Sequence, residues 1–110
     1  MSSDKPHDEV LDDARFILNQ IAMRELLPNE LTDEELNLVL DHGQEGLLET
    51  QEQLNALAEQ CHILTPSPSN LSRLEKERER IRRGATRLLE AYSALFSCIT
   101  EKTTRNLHKI

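Results

Sequence analysis

Residues 32–64 read TDEELNLVLDHGQEGLLETQEQLNALAEQCHIL, and this stretch decides the fold. Its apolar and small residues recur at alternating steps of four and three, which is the spacing of one face of a coiled-coil helix. The repeat consists of Leu36, Leu40, Gly43, Leu47, Thr50, Leu54, Leu57, Cys61 and Leu64. Gly43 and Gly46 could divide the stretch into two helices. A break would usually reset the phase, and the phase holds, so we favour one helix over 32–64.

The start of this helix carries the clearest local signal in the chain. Thr32 and Glu35 have the spacing of a capping box, in which each side chain bonds the other residue's backbone amide. Leu31 and Leu36 occupy the positions of a hydrophobic staple on either side. Both signals predict that the helix begins at Thr32.

A second helix of the same type follows a turn-forming segment, Thr65–Asn70. Its repeat consists of Leu71, Leu74, Arg78, Ile81, Ala85, Leu88, Tyr92, Leu95 and Ile99. This pattern predicts a helix over 70–100, with Ser72 and Glu75 as a second capping box. Arg78 falls on the apolar seam, and we expect its charged head to reach solvent.

Shorter segments flank the two long helices. The apolar spacing from Asp8 onward predicts a helix over 8–26, which Pro28 stops. Residues 1–7 are polar and predict a disordered leader, and the polar residues 101–110 predict a frayed tail. We therefore expect one helical domain over 8–100.

The short loop favours an antiparallel hairpin of the two long helices. If the loop lies midway between the helices, the residue numbers of two facing residues add up to about 135. Gly43 then faces Tyr92, and Leu54 faces Ile81. A residue as small as glycine against one as large as tyrosine fills space well. With the helix 8–26 packed alongside, the expected fold is an all-α three-helix bundle.

Composition limits the class of protein. The 110 residues carry 20 acidic and 13 basic side chains, a net charge of −7, which divides into −12 for residues 1–60 and +5 for 61–110. Two cysteines cannot form a disulfide scaffold, and no apolar run approaches the ~18 residues of a membrane span. The first residues do not resemble a signal peptide. We expect a cytoplasmic protein in a reducing environment.

The charges sort by heptad position. Five basic residues are predicted to form a basic stripe on the outer face of the last helix: Arg73, Lys76, Arg80, Arg83 and Arg87. Glu45, Glu49, Glu52 and Glu59 are predicted to form an acidic edge on the middle helix. The stripe is either a solvated face or a docking edge for an acidic protein or a nucleic acid. The negative net charge and the lack of interleaved aromatic residues disfavour nucleic acid.

Two side grooves of the hairpin compete for the first helix. One carries an apolar strip, which consists of Leu48, Leu89 and Phe96. The other is lined by small residues: Val39, Gly46, Gly84, Ala91 and Cys98. Small residues allow a close approach, so we dock the first helix there, although the reverse assignment is nearly as good. Either way one groove stays open, which is typical of a site for a helical partner or for self-association as a dimer.

Motifs for catalysis and for metal or cofactor binding are not found. No phosphate-binding glycine loop or nucleophile motif occurs, and the histidines and cysteines do not converge. The carboxylates Asp33, Glu34 and Glu35 resemble those of metal-dependent helical hydrolases, but capping explains Glu35 better. We therefore predict a non-enzymatic interaction module without cofactor or small-molecule substrate: an adaptor, an assembly or secretion chaperone, or a small subunit of a helical complex. The alternative is a nucleic-acid-associated regulator that uses the basic stripe.

Overall fold

The structure is a computed structural model that describes residues 6–63 and 67–109. It contains three α-helices in chain order, α1 (His7–Ala22), α2 (Asp33–Ile63) and α3 (Leu71–His108), with a short 3-10 helix at Pro28–Glu30. α2 and α3 form a long antiparallel hairpin, and α1 packs on both. The predicted all-α three-helix bundle is confirmed.

The first helix begins close to the predicted residue. His7, which the polar composition assigns to a disordered leader, is the first helical residue instead of Asp8. Pro6 precedes the helix, and its carbonyl accepts a hydrogen bond of 3.0 Å from the amide of Glu9. Residues 1–5 of the predicted leader lie outside the described part of the chain.

The end of α1 lies four residues before the predicted Leu26, because a left-handed turn closes the helix. Arg24 has a φ of 62°. The amide of Arg24 donates to the carbonyl of Ile21 at 3.0 Å, and the amide of Glu25 donates to that of Gln20 at 2.9 Å. This pair of bonds is the Schellman motif, which ends many helices.

The capping box at the start of α2 is confirmed. The amide of Thr32 donates to Glu35 Oε1 at 2.8 Å, and the amide of Glu35 donates to Thr32 Oγ1 at 3.1 Å. Leu31 and Leu36, the predicted staple residues, are both buried. These contacts explain why the chain turns into the core just before α2.

No break occurs in α2 at Gly43 or Gly46, and the single helix is confirmed as far as residue 63; Leu64 lies outside the described residues. The glycines serve packing. A Cβ atom at Gly43 would lie 3.1 Å from Leu18 Cδ1, and one at Gly46 would lie 3.3 Å from the carbonyl oxygen of Leu11. α1 therefore occupies the groove of small residues, the assignment we favoured.

The third helix begins at Leu71, within the predicted range, but its cap differs from the prediction. Asn70 precedes the helix, and its Oδ1 accepts a hydrogen bond of 2.7 Å from the amide of Ser67. Ser72 lies inside the first turn. The predicted capping box of Ser72 and Glu75 is therefore wrong, because the turn before the helix is closed by asparagine.

The predicted end of α3 near Thr100 is also wrong, since the helix continues to His108. Arg105 is the reason that the polar tail is ordered as a helix. Its guanidinium donates to Asp33 Oδ1 at 2.8 Å and to the carbonyl of Leu31 at 2.7 Å. The tail is thus attached to the start of α2, a contact that a search for apolar periodicity does not detect.

The register of the hairpin differs from the predicted one by about three residues. In each of three contacting pairs the two residue numbers add up to 138. The pairs are Asp33 with Arg105, Gly43 with Leu95, and Leu54 with Gly84. A Cβ atom at Gly84 would lie 2.7 Å from Leu54 Cδ2, so the close approach is at Gly84. Our pairing of Gly43 with Tyr92 and of Leu54 with Ile81 is wrong, since Gly43 lies by Leu95 and Leu54 lies by Gly84.

The core lies in one half of the hairpin, the half that α1 covers. Its buried cluster consists of Ile17, Leu18, Leu31, Leu36, Val39, Leu47, Ala91, Ala94, Leu95 and Cys98. Within 48–61 and 67–87, Leu74 alone is buried. The molecule is elongated, with extents of 64 × 30 × 19 Å. The end near the α2–α3 turn is therefore a two-helix arm beyond a three-helix body.

Candidate protein-interaction surfaces

The three residues of the apolar strip are all exposed. The exposed fractions are 44% for Leu48, 71% for Leu89 and 65% for Phe96. They lie on the side of the hairpin away from α1, because α1 occupies the groove of small residues. Exposure of large apolar side chains on one face is typical of binding surfaces.

A hydrogen bond shows that the strip residues of α2 and α3 share a face. The Tyr92 hydroxyl donates to Gln51 Oε1 across the hairpin at 3.1 Å. Leu48 lies one turn before Gln51, while Leu89 and Phe96 lie one turn to either side of Tyr92. Residues three or four apart are neighbours on a helix surface, so these side chains are grouped on one face.

The exposed row on α3 is longer than predicted. Ile99 and Leu107 are 45% and 65% exposed, and they continue the spacing of Leu89 and Phe96. The sequence pattern places Ile99 on the hairpin seam and Leu107 in a frayed tail. The signal that could have found them is a second apolar repeat on α3, displaced from the seam.

The basic stripe does not lie on the outer face of α3, so that prediction is wrong. Lys76, Arg80, Arg83 and Arg87 line a groove between α2 and α3, while Arg73 is exposed beside it. Four buried or half-buried residues of α3 each precede a predicted seam residue by one position, so the buried face is rotated away from the predicted seam: Glu77, Gly84, Ala91 and Cys98. Arg78 is exposed, in agreement with the expectation that its charged head reaches solvent, and the rotation turns the stripe toward the groove.

We call this feature the distal groove, since it lies near the α2–α3 turn. Its volume is about 770 Å³, and its lining residues are Leu54, Leu57, Ser72, Glu75, Lys76, Glu79, Arg80, Arg83, Gly84 and Arg87. All of them belong to α2 or α3. Leu54 and Leu57 are half-buried and form an apolar floor beneath a rim that is mostly basic.

Some rim cations have carboxylate partners and others do not. Arg80 lies 3.6 Å from Glu77, and Arg83 lies 3.2 Å from Glu79. Hydrogen bonding from Arg82 lowers the pKa of Glu79 below its ordinary value, with a smaller contribution from Arg83. Within the described ranges, Arg73, Lys76 and Arg87 lie more than 4 Å from any carboxylate oxygen. Positive charge in the groove is therefore only partly neutralised.

Part of the predicted acidic edge holds α1 in place. Glu45 contacts the His7 ring, and Glu49 lies 3.6 Å from the guanidinium of Arg15. Arg15 also donates to the carbonyl of Gly46 at 3.0 Å. These carboxylates are thus engaged within the chain, whereas Glu52 and Glu59 are exposed.

A histidine pair at the start of α1 was not predicted. The rings of His7 and His42 lie edge to face with centroids 6.3 Å apart. The hydrogen bond with Glu45 and its negative charge raise the pKa of His7 above the ordinary 6.5. The sequence suggests only an isolated surface group at His7, because nothing nearby in the chain shows that α1 crosses α2 there.

The residues that could suggest chemistry have structural contacts. Glu35 caps α2, and Asp33 pairs with Arg105. Cys98 is buried, and burial raises the pKa of its thiol to about 11, while Cys61 is half-buried and also free. Among residues 6–63 and 67–109, no three His, Cys, Asp or Glu side chains are placed to hold a metal ion.

Two further findings concern the whole chain. None of the described helices is both long enough and apolar enough to cross a membrane. Comparison of the chain with protein-family models, with curated proteins and with solved structures finds no match.

Proposed function

We propose that this protein is a non-enzymatic protein-interaction module of the cytoplasm. It would serve as an adaptor, an assembly or secretion chaperone, or a small subunit of a helical complex. The observation that carries the proposal is the exposed apolar row on α3, which includes Leu89, Phe96, Ile99 and Leu107 beside Leu48 of α2.

The spacing of the row suits a helical partner. Leu89 and Phe96 lie seven residues apart, and Ile99 follows three residues later, as in the seam of a coiled coil. Covering Leu89 and Phe96 would contribute on the order of 1.5–3 kcal/mol each. A partner helix, or the same face of a second copy, would remove this surface from water.

A binding role accounts for the charged and polar side chains better than a catalytic one. Asp33 and Glu35 serve the packing and capping of α2, and the buried Cys98 thiol has a raised pKa that disfavours the reactive thiolate. The grooves are open and lined by surface side chains. These features support a module without cofactor or small-molecule substrate.

The test compares two double variants of the full chain. Leu89→Gln with Phe96→Gln removes the centre of the strip, while Glu90→Gln with Ser97→Gln changes exposed residues of the same helix that are not three or four residues from either strip residue. We expect the wild type and the control variant to self-associate or to retain one stoichiometric helical protein from cells of the source organism. The strip variant should lose this association while keeping its helical circular dichroism.

Light scattering reports the mass of each species, and mass spectrometry identifies a retained protein. A wild-type chain that is stable, strictly monomeric and free of any partner would overturn the proposal. Retention that is equal in the strip variant would also contradict it.

A nucleic-acid-associated regulator is the second candidate, favoured by the seven cations within residues 71–87. Three glutamates interleave with them, and two pair with arginines, which weakens the field that a phosphate backbone needs. Salt-dependent binding of DNA or RNA that is lost on changing Arg80, Arg83 and Arg87 to Glu would support this candidate instead.

A further inference from the structure

The distal groove begins where α1 ends. Asn19, Ala22 and Met23, at the end of α1, line a second groove together with Arg83 and Arg87 of α3. These two arginines also line the distal groove. The path of α1 across the hairpin therefore leads to the groove, and no described residue outside α2 and α3 lines it.

The floor and rim of the groove have different chemistry. Leu54 and Leu57 present apolar surface that is only half-buried, and Gly84 leaves the floor without a side chain. Four cations stand on the α3 side against two glutamates, Glu75 and Glu79. Such a surface accommodates an occupant with one apolar face and a negatively charged edge.

We propose that the distal groove binds an amphipathic helix with an acidic edge, supplied by a protein partner. Lys76 and Arg87 are eleven residues apart, about 16 Å along α3 at 1.5 Å per residue. A partner helix of about three turns matches this length. Its apolar face covers Leu54 and Leu57, and its carboxylates lie beside Arg83 and Arg87.

Charge complementarity selects this occupant over two others. A nucleic acid would place phosphates beside Glu75 and Glu79 and would leave the leucine floor unused. A second copy would offer its exposed α3 row, where residues 86–107 contain two carboxylates, Glu90 and Glu101; Glu101 already pairs with Arg105, which leaves Glu90 to meet the four cations of the rim. The inference rests on the proposed interaction role, since it names a class of partner for that role.

The experiment uses a photoreactive residue in the full chain, expressed in cells of the source organism. p-Benzoylphenylalanine replaces Ser72, which is exposed and lines the groove, and in a second chain it replaces Leu89 of the apolar strip. Mass spectrometry maps the crosslinked segments. We expect the Ser72 site to crosslink to a protein segment with apolar residues at helical spacing and Asp or Glu along one edge.

Charge reversal then tests the rim. We expect Arg83→Glu with Arg87→Glu to reduce the yield of the Ser72 crosslink about tenfold, on the scale of 1.4 kcal/mol per tenfold change in affinity. Arg78→Glu with Arg73→Glu makes the same change of charge outside the groove lining and should reduce the yield less than about twofold. Since all four arginines are exposed, unchanged circular dichroism confirms that the variants fold.

Several outcomes would overturn the proposal. These are a Ser72 crosslink to nucleic acid, to a second copy or to a segment without acidic residues, or no Ser72 crosslink at all. If the Leu89 site still crosslinks to a protein, the groove proposal fails and the interaction role stands. If neither site crosslinks to a protein, both fail.

Discussion

Arg24 shows how a single residue bears the cost of ending a helix. Its backbone is left-handed, a conformation that costs residues other than glycine roughly 1–2 kcal/mol. The turn is retained because the amides of Arg24 and Glu25 close α1 through carbonyls of its last turn. This closure directs the following segment toward α3 and the core.

We predict that Arg24→Gly stabilises the protein by about 0.5–1 kcal/mol. Glycine removes the strain, while its greater freedom in the unfolded chain offsets part of the gain. Urea denaturation of the two proteins measures the difference in free energy of unfolding. Arg24→Ala keeps the strain and serves as the control, and a destabilised glycine variant would contradict the assignment of the turn.

His7 makes the attachment of α1 dependent on pH. Because the pKa of His7 is higher in the folded than in the unfolded chain, its contact with Glu45 stabilises the fold at pH values below about 6.5. This contribution is lost as the pH rises through the raised pKa. The adjacent charges of Asp8 and Glu49 act in the same direction.

We predict that His7→Gln lowers the thermal midpoint at pH 5.5 and has little effect at pH 9. Thermal denaturation followed by circular dichroism at both pH values measures this difference. His108→Gln alters an exposed histidine in the last turn of α3 and should show no such dependence. A loss of stability that grows with increasing pH would contradict a stabilising role for the protonated His7 ring.

At the scale of the helices, Gly84 and Gly43 both lie at close contacts, but the neighbouring side chain is free to move at Gly84 and is packed in the core at Gly43. A Cβ atom at Gly84 would meet the free end of Leu54, which is half-buried and can move. A Cβ atom at Gly43 would meet Leu18 at 3.1 Å and Leu95 at 3.3 Å, both of which are buried. The first contact can relax, whereas the second lies inside the packed core.

We predict that Gly84→Ala raises the free energy of unfolding by about 0–1 kcal/mol, because alanine favours the helix over glycine by up to that amount. Gly43→Val should destabilise by about 1–3 kcal/mol, since it overpacks the contact with α1. Chemical denaturation of both variants provides the comparison. Equal losses of stability in the two variants would contradict the difference between the contact at Gly84, which can relax, and the buried contact at Gly43.

For the whole molecule, the three-helix body and the two-helix arm differ in the amount of buried surface. Leu95 and Cys98 lie within the body, whereas Leu54 and Leu57 of the arm are only half-buried. Local opening costs less free energy where fewer apolar groups are buried. The arm is therefore the less stable part of the hairpin.

We predict that hydrogen exchange is slowest for amides of 91–98 and at least about tenfold faster for those of 78–87 on the same helix. Mass spectrometry of peptides from the native chain measures both rates under one condition. Binding of a partner helix in the distal groove should slow exchange in 78–87 selectively. Uniform protection along α3 without a partner would contradict the division into body and arm.

The number and order of the α-helices and the start of α2 could be predicted from the sequence alone, whereas the ends of α1 and α3 could not. The unbroken heptad phase through Gly43 correctly predicted a single long helix, and Thr32 with Glu35 correctly predicted its cap. These features depend on residues within one or two turns of each other. Local spacing and short-range hydrogen bonds are therefore enough to predict them.

The register of the hairpin and the direction in which the basic stripe faces depend on tertiary contacts. The close approach of Leu54 to Gly84 and the contact of Arg105 with Asp33 join residues far apart in the chain. If one helix is shifted by three residues along the other, apolar residues still face apolar residues. The three-and-four repeat therefore does not determine the register. The buried face of α3 includes Ala91 and Cys98 and is rotated from the predicted seam, so that four cations of the predicted outer edge form the rim of a groove.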